Sequence, residues 1–453
     1  MSKTVIIVGG NGAGLSAASQ VKKLQPQWKV IVYEKGGYIS YASCGMPYFL
    51  EGIVKDFKDL LELSPETVIN DRKIDLRLHH KVLKVDPENR EITVTDGTNN
   101  ETMNFDYLLL ATGAIPSTRG INIKSPLFKR IFTLKSLDDM LTISALLDKQ
   151  KPQRCGVIGG GYIAVEMLEA FLARGLETHL VHRRDQLAKT FEPEISAMIL
   201  EKMKEEGIVL DLNLAVKEVS ESGKEVVVKT DSGNLTFDFV LIATGVEPNT
   251  AFLKDSGIGL GIKDAVSVNK HLQTNYPYIY AAGDCAETTS IITGQPAYVP
   301  LAPRANKEGY IAGSNIAGDN EEFPGIGETA VTKFSDMGIA RTGLTEKAAS
   351  KAGYNAVKYT FSTSNRPRYY PGGEELYNVI VISKDDGRFL GAQLAGPLDG
   401  VKRIDTFALL IQQKMTLAEA FRLDLAYAPP FSPVYDPVIL AARLGRRHVL
   451  DAK

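Results

Sequence analysis

Thr4-Val5-Ile6-Ile7-Val8-Gly9-Gly10-Asn11-Gly12-Ala13-Gly14 and, further on, Gly156-Val157-Ile158-Gly159-Gly160-Gly161-Tyr162-Ile163-Ala164 are two renderings of one local plan. In each, a short apolar run enters a glycine-rich turn, and a helix-compatible stretch follows, Leu15 to Leu24 in the first copy and Val165 to Arg174 in the second. Each copy later carries a near-identical run, Phe105-Asp106-Tyr107-Leu108-Leu109-Leu110-Ala111-Thr112-Gly113 and Phe237-Asp238-Phe239-Val240-Leu241-Ile242-Ala243-Thr244-Gly245. Strand, glycine turn and helix in this order form the dinucleotide-binding fingerprint, whose glycines allow a tight turn and a close approach of backbone to pyrophosphate. Two copies predict an α/β chain with two Rossmann-like domains, and two dinucleotides.

The copies differ in their acids and bases. The first reads Gly9, Asn11, Gly14, with Asn11 where a middle glycine is usual and with Gly10 and Gly12 beside it. Twenty residues beyond Gly14, Glu34 ends the strand-like run Val30 to Tyr33, a place from which an acid holds a ribose hydroxyl. In the second copy, Thr178 to Val181 ends instead in His182-Arg183-Arg184. An acid there would repel a 2'-phosphate, whereas Arg183 can pair with one, so NADPH is expected ahead of NADH. A solvated arginine loop is the competing reading.

A length of 453 residues suggests about three domains. Apolar content of 44% and charged content of 23% are those of an ordinary globular protein. A net charge of -2 argues against a nucleic-acid footprint or a polybasic membrane patch. No apolar run approaches a membrane span, and Thr4 to Val8 is too short for a signal-peptide core, so a cytoplasmic location with reduced thiols is expected. Only Cys44, Cys155 and Cys285 are present, none in a CxxC or CxxxxC pair, which excludes a disulfide framework or zinc site; no metal is expected. Cys44 lies in Ser40-Tyr41-Ala42-Ser43-Cys44-Gly45-Met46-Pro47-Tyr48, and Pro47 suits the first turn of a helix. Free N–H groups at such a helix start would favour the nucleophilic thiolate. The competing reading is an inert, buried cysteine.

One more motif, Tyr278-Ile279-Tyr280-Ala281-Ala282-Gly283-Asp284-Cys285, puts an acid after a strand and a glycine turn. With it, the chain resembles the flavin-dependent pyridine nucleotide-disulfide oxidoreductases over essentially its whole length. The resemblance implies FAD as the first dinucleotide, NAD(P)H as the second, and Asp284 on the FAD ribitol. It places cofactor contacts on Gly9, Gly12, Gly14, Glu34, Lys35, Thr112, Gly113, Asp284, Gly159, Gly161, Tyr162, Glu166, Arg183, Lys189 and Gly245. Lacking a CxxxxC pair, the chain resembles the single-cysteine branch, and the run around Cys44 looks most like coenzyme A-disulfide reductase. Gly12 stands where peroxidases and many oxidases of that branch carry a His, which argues against peroxide chemistry.

The carboxyl-terminal third bears on the same choice. Leu425-Ala426-Tyr427-Ala428-Pro429-Pro430-Phe431-Ser432 closely resembles a coenzyme A-disulfide reductase signature, and Asn365-Arg366-Pro367-Arg368-Tyr369-Tyr370-Pro371-Gly372 precedes it. In those homodimers, tyrosines of one subunit reach the flavin and cysteine of the other. Tyr369 and Tyr427 match them, with Tyr370 as an alternative and plain aromatic packing as the competing reading. The resemblance puts substrate contacts on Ser16, Gln20, Lys23, Ser40, Ser43, Arg72, Asn306 and Tyr435. Ser43 and Asn306 stand where some relatives have Asn and His, and Tyr435 replaces a Lys, which leaves fewer charges for the coenzyme A phosphates. Lys22 is a further candidate cation beside Lys23 and Arg72.

The expected organisation is an FAD domain in two parts, 1–117 and 247–322, an NAD(P)H domain at 118–246, and an α+β dimerisation domain at 323–453. Pro116 and Pro248 mark the crossings. The implied activity is NAD(P)H-dependent reduction of coenzyme A disulfide, or a related small disulfide, through a mixed disulfide at Cys44, with Tyr427 from a second subunit protonating the departing thiolate. Alternatives are a persulfide or polysulfide reductase, then an NADH oxidase, then a flavin redox sensor without turnover.

Overall fold

A computed structural model describes residues 2–126, 129–187 and 189–450. The two repeats build matching sheets. In the first, five parallel strands lie in the order Ile279–Ala281, Tyr107–Leu110, Thr4–Val8, Lys29–Tyr33, Asp75–Arg77. In the second, the equivalent order is Ile131–Phe132, Phe239–Ile242, Arg154–Ile158, Glu177–Val181, Val209–Asp211. Only the first strand in each list differs in origin. In one sheet it returns after the inserted second repeat; in the other it precedes the repeat. Strands buried on both faces must be apolar throughout, and Val5, Ile6, Ile7 and Val157 are fully buried.

The helices after the glycine turns span Gly12–Leu24 and Tyr162–Ala173, so both begin inside the turns and earlier than apolar periodicity indicates. In the first, the opening residues Gly12-Ala13-Gly14 carry no apolar periodicity of their own. Each repeat also carries an antiparallel companion sheet that strand patterning did not reveal: Lys81–Asp86, Glu91–Thr95 and Asn100–Asn104 in one, Val216–Ser222, Glu225–Thr230 and Asn234–Phe237 in the other. At the expected crossings the two chain segments pair directly, Val246 with Pro116 and Pro248 with Ala114.

The carboxyl-terminal third is an antiparallel sheet ordered Ala330–Phe334, Met337–Gly343, Phe389–Pro397, Glu375–Ser383, Ala356–Ser364. Helices Ile404–Gln412 and Pro437–Leu450 belong with it, and Phe407, Val438 and Ala441 join Ile380 and Leu394 in its core. The stretch 398–412 is divided into a turn, Leu398–Val401, and a helix, Ile404–Gln412. Between them Arg403 is held by Asp436, Nε to Oδ2 at 2.8 Å. This sheet meets the second repeat through polar contacts: Thr332 donates to Glu166 (3.0 Å), Lys333 pairs with Glu169, and Gln393 accepts from the Glu192 N–H (2.8 Å). No helix among the described residues is long and apolar enough to cross a membrane.

Candidate active site

Both glycine loops are shaped so that only glycine fits. Gly9 has φ +115°, and a Cβ there would fall 2.1 Å from the Ala111 carbonyl oxygen; Gly159 has φ +142°, with the Ala243 oxygen at 2.2 Å. The helices that follow start without a side-chain cap at Asn11 or Gly161, which leaves their first N–H groups free for an anion. By contrast, the helix Leu137–Gln150 is closed by a capping box of Ser136 and Asp139. In the first loop Glu34 accepts from the N–H groups of Gly10 and Gly36, each at 2.8 Å, while Lys35 beside it is exposed. Thr112 and Gly113 are tied to Asn249 across the crossing, Thr112 Oγ1 to the Asn249 carbonyl at 2.8 Å. Asp284 is paired with Lys135 at 3.1 Å. Beside it the buried hydroxyl of Tyr298 has no hydrogen-bond partner among the described residues, and burial, then the Asp284 carboxylate, pushes its pKa well up. A glycine cradle, free N–H groups and an orphaned hydroxyl fit a bound dinucleotide.

In the second loop, a Cβ at Gly161 would meet nothing within 4 Å, whereas the His182 ring lies 2.9 Å from one at Gly160. Arg183 and Lys189 are exposed, and Arg119 lies against Gly245, its Nη2 3.1 Å from a Cβ placed there. Tyr162 sits edge-on to Phe191 with its hydroxyl buried and without a hydrogen-bond partner among the described residues.

Cys44 is exposed within a single turn, Ser43–Gly45, and the helix Met46–Glu51 follows with Pro47 in its first turn. The expected thiolate is not what the surrounding residues favour. The packing behind the sulfur, then the Glu166 carboxylate, pushes the thiol up from its ordinary value, and the opposing pull of Lys135 and of the Ser43 hydroxyl is weaker. The helix that follows is only six residues long. Glu166 is itself raised by burial, against the pull of the hydrogen bond from Thr332.

Ser16, Gln20, Lys23, Ser40, Arg72 and Asn306 line one cavity of about 350 Å³, together with Gly12. Ser16, Gln20 and Lys23 share it because they recur at helical spacing on Gly12–Leu24. Ser40 is pinned at φ +45° by its N–H to the Gly10 carbonyl (3.0 Å) and by its own carbonyl, which accepts from Glu62 (2.8 Å). Arg72 follows a π-helical turn, Thr67–Asp71, and its Nη1 donates to Ser19 at 2.5 Å. Gln20 is mostly committed inward, its Nε2 donating to Ser314 at 2.9 Å. Lys22 drops out as a phosphate partner: its ammonium donates to the carbonyls of Pro26 (2.6 Å) and Trp28 (3.0 Å) in the segment that follows the helix. Ser43 and Tyr435 lie outside the cavity lining, Ser43 in the cysteine turn and Tyr435 under the Arg443 guanidinium, 5.2 Å from its ring centre. Elsewhere, Tyr369 and Tyr427 meet hydroxyl to hydroxyl at 3.2 Å on an exposed face with Phe431 and Val434, while Tyr370 is half-buried.

Residues 3–309 match the model of the pyridine nucleotide-disulphide oxidoreductase family, and residues 329–437 match its dimerisation domain. The chain belongs to the pyridine nucleotide-disulphide oxidoreductases. It is 42% identical to the NAD(P)H coenzyme A polysulfide/persulfide reductase of Pyrococcus horikoshii, covering 98% of each chain. It is 30% identical to the coenzyme A disulfide reductase of Staphylococcus haemolyticus over 96% of this chain and 98% of that one. Among solved structures, reduced Bacillus anthracis CoADR-RHD superposes with a TM-score of 0.94 at 32% identity, covering 100% of this chain and 81% of that chain.

As an oxidoreductase of this family the chain uses a flavin and a nicotinamide nucleotide, and its dimerisation domain points to a homodimer. Three residues of the oxidoreductase were missed in the sequence. Lys135 reaches Asp284 from far away in the chain. Arg119 and Tyr310, which lines the cavity, carry no motif of their own. Helical spacing from Asn306 was the one signal that pointed to Tyr310.

Proposed function

We propose that this oxidoreductase uses NADPH and FAD to reduce coenzyme A disulfide, or a close low-molecular-weight relative, in the cytoplasm. The observation that carries the proposal is the cavity lined by Ser16, Lys23, Ser40, Arg72 and Asn306, which offers two cations and several hydroxyls four residues from the turn of Cys44. The flavin, when bound, supplies an electron pair from the nicotinamide. The protein supplies the sulfur chemistry. Cys44 attacks one sulfur of the bound disulfide, its S–S bond breaks, and one thiolate leaves as a mixed disulfide forms on Cys44. Two electrons then cleave that mixed disulfide, giving the second thiolate and free Cys44; two protons complete two thiols. Tyr427, paired with Tyr369, donates one of those protons across the homodimer. The domain limits that serve this arrangement are 1–117 with 247–322 for FAD, 118–246 for NADPH and 323–453 for dimerisation.

Cys44→Ser should cut disulfide turnover by roughly a thousandfold or more while flavin stays bound, read from NADPH consumption and the visible spectrum. Retained turnover sinks the proposal.

A second reading has its own support. The 42% identical archaeal relative is named for polysulfide and persulfide, and it is matched over 98% of its length. Under that reading the Cys44 thiolate attacks the outer sulfur of a coenzyme A persulfide, the S–S bond breaks and coenzyme A thiolate leaves; two electrons and two protons then turn the Cys44 persulfide and that thiolate into hydrogen sulfide, coenzyme A thiol and free Cys44. Comparing kcat/KM for coenzyme A disulfide with that for polysulfide plus coenzyme A separates the two.

A further inference from the structure

One side chain in the cavity wall has no part in the reading above. Tyr310 lies one helical turn beyond Asn306 on the helix Ala302–Ala317, lines the cavity with Lys23 and Arg72, and leaves 45% of its surface exposed. The helix is held alongside Gly12–Leu24 by glycines. A Cβ at Gly309 would lie 2.2 Å from the Ala13 oxygen, and one at Gly313 would lie 2.7 Å from the Ala17 oxygen. Those contacts make the helices run in the same direction, so the cavity has a defined axis. Ser40, Gly12 and Asn306 stand at one end, and Lys23 lies eleven residues along, about 16 Å further. Ser40, at the near end, stands in the chain just before the cysteine turn Ser43–Gly45. The far end collects the cations Lys23 and Arg72, with Tyr310 between the ends. A flat ring flanked by cations is the chemistry that receives a base and its phosphates.

We infer that Tyr310 is the platform on which the purine of a coenzyme A-type substrate stacks, while Lys23 and Arg72 take the phosphates. The inference rests on the coenzyme A reading above and adds a residue that selects for the nucleotide end. The thiol arm then runs along the helix pair towards Ser40. An exposed ring of this kind contributes to binding equally before and during reaction, so its loss falls on KM rather than kcat.

The test compares coenzyme A disulfide with pantethine, the same disulfide arm without the nucleotide, and measures adenosine 3',5'-bisphosphate binding by calorimetry. In Tyr310→Leu, KM for coenzyme A disulfide should rise about tenfold at unchanged kcat, KM for pantethine should stay put, and the bisphosphate should bind about tenfold more weakly. Tyr310→Phe, which keeps the ring, should behave as wild type. Equal changes with both disulfides, or none with either, overturn the platform while wild-type preference for coenzyme A disulfide leaves the substrate reading standing. A wild type that binds no bisphosphate and prefers neither disulfide overturns both.

Discussion

The two glycine loops begin alike and are finished differently. In the first, Glu34 at the end of its strand accepts from Gly10 at 2.8 Å, and the Ala302–Ala317 helix closes over the loop, with Asn306 Oδ1 3.2 Å from a Cβ at Gly12. In the second, the His182 ring takes the position of the acid, and nothing lies within 4 Å of a Cβ at Gly161. The closing helix is anchored by a buried pair: Arg304 Nε donates to Glu308 Oε1 at 2.6 Å, while Glu308 Oε2 accepts from the Gly283 N–H at 2.8 Å. The remaining Arg304 nitrogens hold the carbonyls of Ala286, Glu287 and Val299. On the proposed assignment of FAD to the first repeat and NADPH to the second, the covered loop suits a nucleotide kept through many turnovers and the open loop one exchanged at each.

The sharpest way to break this contrast is Glu308→Ala. It strands the Arg304 guanidinium in the interior, a loss of roughly 3–5 kcal/mol, and frees the Gly283-Asp284 turn. Purified variant should carry much less flavin per chain and unfold at lower denaturant, whereas nicotinamide nucleotide binding by the second domain should persist. Full flavin occupancy would remove the anchor from the account. Of intermediate size is Arg183→Glu, which puts an acid next to His182, the counterpart of Glu34: kcat/KM for NADPH should fall about tenfold or more, with NADH little changed. Equal losses for both would mean that Arg183 does not read the 2'-phosphate. The smallest effect concerns His179, on the strand Glu177–Val181 of the second sheet. Burial favours its neutral ring, but hydrogen bonds to Asp211 (2.7 Å) and Glu177 (3.0 Å) prevail and raise its pKa above the ordinary 6.5. Its stabilisation is thus complete below 6.5 and lost as pH rises through the raised folded value. The gap in Tm between wild type and Asp211→Asn should be widest near pH 6 and narrow towards pH 9; a constant gap contradicts the pairing.

What could be read in the sequence is what is local. The glycine turns and the Ala-Thr-Gly corners are short-range patterns, whereas Ser16, Gln20 and Lys23 came from the family resemblance, and the structure brings those three to one cavity with Ser40, Arg72 and Asn306. The companion antiparallel sheets were not legible, because their half-exposed strands lack a continuous apolar run. Lys135 was invisible for another reason: its partner Asp284 is 149 residues away. The state of Cys44 shows a third limit. Proximity to a helix start is visible in sequence; the desolvation and the Glu166 carboxylate that oppose it come from packing between domains. Lys22 and Lys23 look equivalent as neighbours, and only the folded chain turns Lys22 to the carbonyls of Pro26 and Trp28.

The Ala302–Ala317 helix divides its circumference between two masters. Arg304, Glu308, Gly309 and Gly313 face the loop and its partner helix, where no atom can be added without displacing backbone or orphaning a charge. Asn306 and Tyr310 face the cavity. On the proposed reading of the cavity, substrate scope can drift along one side of a helix whose other side is fixed by the glycine loop and the partner helix. Libraries confined to 306 and 310 should yield altered disulfide preference at little cost in folded yield, which makes this helix a natural starting place for directed evolution.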